Sequence, residues 1–308
     1  MFWDAVLIAG PTASGKSRAA LGLAEHLGGT VINADSMQVY SEFRILTARP
    51  SEEDEARAPH RLYGHVPAAE RYSVGRYLGD AGRVLAETRE AGRLPIFVGG
   101  TGLYFNALIQ GLAPIPPVPA DIRDSVEKRL EECGLPIFFE EFAAKDPKTA
   151  ARLRPTDRQR ILRAAAVLEA TGRPLAEWQE MPGDGPLDGP LKEMNLARFV
   201  LAPPREELYG RIGARFEAML GTGALEEVRT LPPLDPKLPA ARALGVSQLL
   251  AVNRGDMPLD AAKAEAVMQT RRYAKRQITW FRRFMADWKW LEDDHLRNII
   301  AFMSHKST

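Results

Sequence analysis

Eight residues near the N-terminus have the types and the spacing to grip a phosphate: Gly10-Pro11-Thr12-Ala13-Ser14-Gly15-Lys16-Ser17 fits G-x-x-x-x-G-K-[ST]. Glycines let backbone N–H groups close around phosphate oxygens without a Cβ in the way. The helix expected to follow points its first N–H groups and the positive end of its dipole at the anion. Lys16 adds a mobile positive charge, and the Ser17 hydroxyl is the expected ligand for a Mg²⁺ ion that bridges the phosphates. Such a loop is of the ATP- and nucleotide-binding kind. Alone it specifies only a phosphorylated ligand with Mg²⁺. The bland alternative is a tight glycine turn, but an apolar strand before the loop and a helical pattern after it favour the phosphate site.

A second candidate follows a second apolar strand, in Asn33-Ala34-Asp35-Ser36-Met37-Gln38-Val39-Tyr40. In a doubly wound sheet, ligands bind beyond the carboxyl ends of the strands, so Asp35 is expected near the phosphate loop. A carboxylate there can accept a proton from an attacking amine or hydroxyl. It can equally cap the next helix, as can Ser36. A third strand ends in Val98-Gly99-Gly100-Thr101 rather than in the Asp usual for hydrolytic motors. Residues 271–283, Arg-Arg-Tyr-Ala-Lys-Arg-Gln-Ile-Thr-Trp-Phe-Arg-Arg, hold six basic residues and no acidic one. Ala274, Ile278, Phe281 and Met285 form a core-facing stripe. The basic and aromatic residues between them suit phosphate contacts and base stacking. A second basic run lies between Arg152 and Arg163. The two runs could clamp one RNA, or the second could be the arginine-rich lid of a small-molecule or nucleotide kinase.

These groups need a scaffold. Residues 5–9, 30–34 and 94–98 read as buried strands, with helices over 16–27 and 74–91 between them. Strands alternating with helices imply an α/β fold, a P-loop doubly wound parallel sheet. Prolines at 114–119 and a breaker-rich stretch at 182–190 bracket a block, 121–180, that is almost entirely helix-like. Residues 197–202 then return as a strand. The expected organisation is a core of residues 1–112 and 196–308 and a helical insertion domain over 113–195. The chain has 308 residues, with 45% hydrophobic and 26% charged, enough to bury a core without staples. Cys133 is the sole cysteine, which excludes an intrachain disulfide and a cysteine-based zinc site and makes a reducing cytoplasm the simplest compartment. No signal peptide or membrane span is read. A net charge of +1 confines any nucleic-acid surface to a local patch.

Together these segments resemble the bacterial tRNA dimethylallyltransferase (tRNA isopentenyltransferase) family. The resemblance runs from Gly10 to about Leu291. It is carried by Gly10–Ser17, Asp35–Tyr40, Ala58-Pro59-His60-Arg61, Val98–Tyr104, Gln159–Ala164 and Lys275–Arg282. It implies that the P-loop holds the pyrophosphate of dimethylallyl diphosphate. Asp35 would deprotonate or orient N6 of the adenine just 3′ of the anticodon. Lys16, Ser17 through Mg²⁺ and Arg211 would stabilise the leaving pyrophosphate, and Thr101 would sit beside both reactants. Ser36, Met37 and Gln38 would form the pocket of the flipped base. Arg123, Gln159, Arg160, Ile161, Leu162 and Arg163, with Arg242, Lys275, Arg276, Gln277, Thr279, Trp280 and Arg282, would hold the tRNA anticodon stem-loop. A monomer is the expected state. Where the family often has Tyr-Arg, this chain has Val246-Ser247, which leaves Arg242 as the contact of that segment. His60 reads as structural and Cys133 as inert.

Overall fold

Four apolar segments bounded by glycine or polar turns pair side by side, and two short polar-containing segments add to the edges. In the computed structural model, which describes residues 2–181 and 188–305, they are β1 (Ala5–Ala9), β2 (Gly29–Asn33), β3 (His60–Arg61), β4 (Leu94–Gly99), β5 (Leu196–Leu201) and β6 (Lys289–Leu291). Every pairing is parallel, in the order β3-β2-β4-β1-β5-β6. The helices of the described residues are α1 (Lys16–Leu27), α2 (Glu52–Arg57), α3 (Val74–Glu90), α4 (Gly102–Gln110), α5 (Ala120–Lys145), α6 (Pro147–Ala150), α7 (Arg158–Thr171), α8 (Leu175–Glu180), α9 (Arg205–Gly221), α10 (Ala224–Arg229), α11 (Val246–Arg254), α12 (Leu259–Phe284) and α13 (His295–His305). The doubly wound parallel α/β sheet is therefore present. β3 and β6, of two and three residues, lie at its edges.

Two compact units arise, one formed by Met1–Gln110 with Gly189–Thr308, the other by Gly111–Asp188. Residues 182–187, most of the second breaker-rich stretch, lie outside the described residues. In the first unit, Val6 and Ile8 of β1 pack with Leu23 of α1 and with Ile299 and Met303 of α13. The alternate residue Leu7 points to the opposite face, as the two-residue period of a strand requires. There Tyr77 of α3 stacks on Tyr104 of α4 with ring centres 3.8 Å apart. Gly28 ends α1 with φ +65°, a left-handed conformation in which its N–H reaches the Ala24 carbonyl.

The second unit is helical. Val126, Leu130, Phe138, Phe142, Ile161, Ala164 and Val167 make its own core. α5 breaks at Gly134 (φ +76°, ψ +159°), two residues before Pro136, whose ring cannot follow a helical turn. No helix of the described residues is long and apolar enough to cross a membrane.

Candidate active site

β1 delivers the chain to Gly10, where space is scarce. A Cβ on Gly10 would lie 2.6 Å from Ser14 Oγ and 2.9 Å from the Leu201 carbonyl oxygen. The loop then turns through two left-handed residues, Ala13 (φ +64°) and Gly15 (φ +88°), before α1 starts at Lys16. Ser14 N–H donates to the Pro11 carbonyl at 3.2 Å, and Lys16 Nζ folds back to donate to the same oxygen at 3.2 Å. Lys16 is only 8% exposed. Burial lowers its pKa to about 8, against the opposing pull of Asp35, and Arg215 pushes it the same way as burial.

The Asp35 turn is locked by its neighbours. Asn33, fully buried, accepts the Asp35 N–H at 2.9 Å and donates to the Asp35 and Leu62 carbonyls. Asp35 Oδ1 accepts the Met37 N–H at 2.9 Å. Thr101 Oγ1 accepts the Ser36 N–H at 2.9 Å and its hydroxyl donates to Ser36 Oγ at 3.2 Å. Gly100 leaves room at Asp35 Oδ2, which would stand 3.1 Å from a Cβ there. Burial and the Asp35 charge together raise the pKa of Tyr63, Tyr104 and Tyr273, so these phenols stay protonated around the carboxylate. One oxygen of Asp35 is thus engaged in a turn, while the other faces a wall of glycine and phenols.

Beside the loop lies a cavity of about 640 Å³. Its cations are Lys16, Arg18, Arg44, Arg49, Arg211 and Arg215, against the single carboxylate of Asp54. Ser17 opens into it as well. Arg211 and Arg215 stand one turn apart on α9. Arg211 is held by an ion pair with Glu207. Arg215 Nη2 reaches the Thr47 carbonyl at 3.4 Å, and burial lowers its pKa while Asp35 raises it. A glycine loop at a helix N-terminus, largely buried cations and a nearby carboxylate suit a reaction in which an anionic group departs as a proton is removed.

The structure brings several of the residues selected from the sequence to one place and turns others inward. Gln277 of α12 faces inward: its Oε1 accepts the Thr12 N–H at 3.0 Å and its Nε2 donates to the Gly100 carbonyl at 2.9 Å. It ties the P-loop to the Gly99-Gly100 turn, so its side chain braces the loop from within. Gln38, also buried, donates through Nε2 to the Thr47 and Ala48 carbonyls and shapes the cavity wall. Ile161 has no exposed surface and Leu162 packs against the same helical core, while Gln159, Arg160 and Arg163 are exposed. Lys275, Arg276, Thr279 and Arg282 are exposed on α12, and the Trp280 ring lies on Gly102, where a Cβ would be 2.1 Å from it. Ser36 and Met37 are half-buried, and Arg242 is exposed at the end of a 3-10 turn, Pro239–Arg242. In the helical unit Arg123 donates to the Val118 carbonyl at 2.8 Å, and the pKa of Arg163 falls through burial and the nearby Arg123. His60 bonds through Nδ1 to the Ala58 carbonyl at 2.8 Å. Cys133 packs against the helical core.

Asn33, Arg215 and the phenols of Tyr63 and Tyr273 were not anticipated. Arg215 carried a readable signal, since it follows Arg211 by four residues and so shares its helix face.

Two family models match the chain: IPP transferase over residues 38–284 and Isopentenyl transferase over residues 3–65. A tRNA dimethylallyltransferase of Rhodopseudomonas palustris is 54% identical over 292 residues, covering 94% of this chain and 90% of that protein. One from Bradyrhizobium sp. is 53% identical over 301 residues and covers 97% of each. Among solved structures, the full-length tRNA isopentenylpyrophosphate transferase of Bacillus halodurans superposes with a TM-score of 0.69 at 31% identity, covering 99% of this chain and 95% of that one.

Proposed function

The chain belongs to the IPP transferase family of tRNA-modifying prenyltransferases, and we propose that it moves the dimethylallyl group of dimethylallyl diphosphate to N6 of the adenine 3′ of the anticodon. The kinase alternative is not favoured, since the matching relatives are tRNA dimethylallyltransferases. The observation that carries the detailed reading is the meeting of Lys16 and Arg215 in the lining of the P-loop cavity, with the charge of Asp35 acting on both.

The chemistry follows from that meeting. An exocyclic adenine amine is a poor nucleophile because its lone pair is delocalised into the ring. An allylic C1–O bond, by contrast, breaks readily once the leaving group is neutralised. Gly10–Ser17 would hold the pyrophosphate through backbone N–H groups, with Lys16, Arg211 and Arg215 matching the charge that builds as C1–O breaks. Asp35 Oδ2 would take the N6 proton as C1–N6 forms, while Oδ1 stays fixed by Met37 N–H. Thr101 would act mainly by holding the Asp35-Ser36 turn. Ser36 and Met37 would line the base pocket.

The residues fit a Mg²⁺ ion carried by the substrate. Ser17 offers a hydroxyl at the cavity, and no group of three or more His, Cys, Asp or Glu among the described residues is arranged to hold a metal. The remaining ligands would be phosphate oxygens and water. When bound, Mg²⁺ would supply charge neutralisation to the departing pyrophosphate. The tRNA would lie along Lys275, Arg276, Trp280 and Arg282, with Arg123, Arg160 and Arg163 of the helical unit and Arg242 adding phosphate contacts. A cytoplasmic setting and a monomer accord with this reading.

The test is incubation with unmodified tRNA, Mg²⁺ and radiolabelled dimethylallyl diphosphate, with parallel tubes offering AMP, ADP or ATP. Label should enter tRNA and be lost when the adenine beside the anticodon is replaced. Label only in free nucleotide would overturn the tRNA assignment, and no label in any acceptor would overturn prenyl transfer itself.

A further inference from the structure

The last helix, α13, returns to the start of the chain and packs along α1. Its first residue, His295, reaches the phosphate loop. Nε2 of the ring lies 3.2 Å from the Ser14 carbonyl oxygen. A carbonyl only accepts, so Nε2 must carry the proton. Nδ1 is buried and has no hydrogen-bond partner among the described residues. Burial lowers the pKa of the ring, which keeps it neutral near pH 7, and this leaves Nε2–H as the one donor.

The geometry of a trans peptide makes that single bond consequential. The C=O of Ser14 and the N–H of Gly15 belong to one planar unit and point in opposite directions. The Ser14–Gly15 unit is also free to rotate, because Gly15 sits at φ +88° and tolerates several conformations. Rotation would turn the Gly15 N–H away from the anion and present a carbonyl oxygen to it. The ring of His295 also stands over Gly15: a Cβ there would lie 3.7 Å from His295 Cδ2 and 3.8 Å from Arg211 Nη1.

We infer that His295 is a positioning residue for pyrophosphate, holding the Ser14–Gly15 peptide so that the Gly15 N–H faces the cavity, and that α13 is thereby part of the substrate site. This rests on the pyrophosphate reading of the P-loop. Titration calorimetry with inorganic pyrophosphate and Mg²⁺ on the full chain is the direct test, beside KM for dimethylallyl diphosphate, KM for tRNA, and kcat. His295→Phe keeps the ring volume and removes the donor. It should weaken pyrophosphate about fivefold to tenfold, the worth of one lost hydrogen bond. KM for the allylic substrate should rise with it, and KM for tRNA should stay within about twofold. His295→Gln, whose amide can donate from nearly the same point, should recover most of the affinity. Unchanged pyrophosphate affinity in His295→Phe would overturn the inference, as would equal losses in His295→Phe and His295→Gln, which would mean packing alone. If the unaltered protein failed to bind pyrophosphate, the P-loop reading would fall first and this inference with it.

Discussion

Arginine is abundant both around the phosphate loop and in the helical unit, and the two regions treat it differently. In the helical unit most basic side chains are clipped to carboxylates on the surface. Lys148 and Arg152 share Glu180 at 2.8 and 2.6 Å, Arg158 meets Glu127 at 3.2 Å, and Arg160 meets Asp157 at 3.3 Å. Around the phosphate loop, Lys16, Arg49 and Arg215 turn instead to backbone carbonyls and make no ion pair among the described residues. Their pKa values are lowered by burial. A compensated cation contributes little beyond local order. An uncompensated buried cation costs stability until an anion arrives, and that cost is returned as affinity. The difference marks which charges are kept for a ligand.

The largest expected effect comes from Asp35, the carboxylate whose charge acts on both Lys16 and Arg215. Asp35→Ala should lower kcat by about 10²- to 10⁴-fold while tRNA affinity, read by filter binding, stays near the original. Normal turnover would remove Asp35 from the chemistry. Next come the cations. Arg215→Met should lower kcat/KM for dimethylallyl diphosphate by about 10²- to 10³-fold. Arg152→Met, which breaks a pair with Glu180 in the helical unit, should change it less than about twofold. Equal losses in the two variants would erase the distinction between the regions.

That distinction was half legible in the sequence. The strand, loop and helix around Gly10–Ser17 carry their own pattern, and so do β2 and β4, with runs of five and six buried residues, and β5, with four of six buried. β3 and β6 are too short to show any period and form only because β2 and β5 offer open edges. Gln277 reads as one more polar residue on a basic helix, since its partners Thr12 and Gly100 are 265 and 177 residues away. Ile161 shows the opposite case: a motif read as one surface includes the residue that turns inward every third or fourth position. His295 has no local signal at all, because its meaning depends on α13 lying along α1.

A pH series sharpens the comparison without mutating anything. In the proposed site Lys16 would bind the anion as its ammonium, and burial has brought its pKa down to about 8. Pyrophosphate affinity should therefore be flat with respect to this lysine below about pH 7. It should weaken toward about tenfold per unit as pH rises well above 8, where the neutral amine dominates. Bound anion favours the charged form, so the break should move upward in the complex. Lys16→Met should bind more weakly at pH 7 and lose that break. A break that persists in Lys16→Met would assign the titration to another group.

The smallest effect belongs to the exception within the helical unit. Arg163 carries a charge disfavoured by burial and by the nearby Arg123, unlike the paired arginines around it. By the same logic it is kept for an anion, and an RNA phosphate is the ligand the proposed reaction offers. Arg163→Gln should weaken tRNA about threefold to tenfold and reduce the slope of log affinity against log salt by about 1. Affinity for dimethylallyl diphosphate should not move, which separates a phosphate contact from a disturbed fold. Glu180→Gln is the counterpart, because it releases Lys148 and Arg152 from their shared partner. If charge alone drew the RNA, freeing two cations should tighten binding and steepen the salt slope. If binding depends on where unpaired arginines are placed, Glu180→Gln should leave both unchanged, and only Arg163→Gln should register.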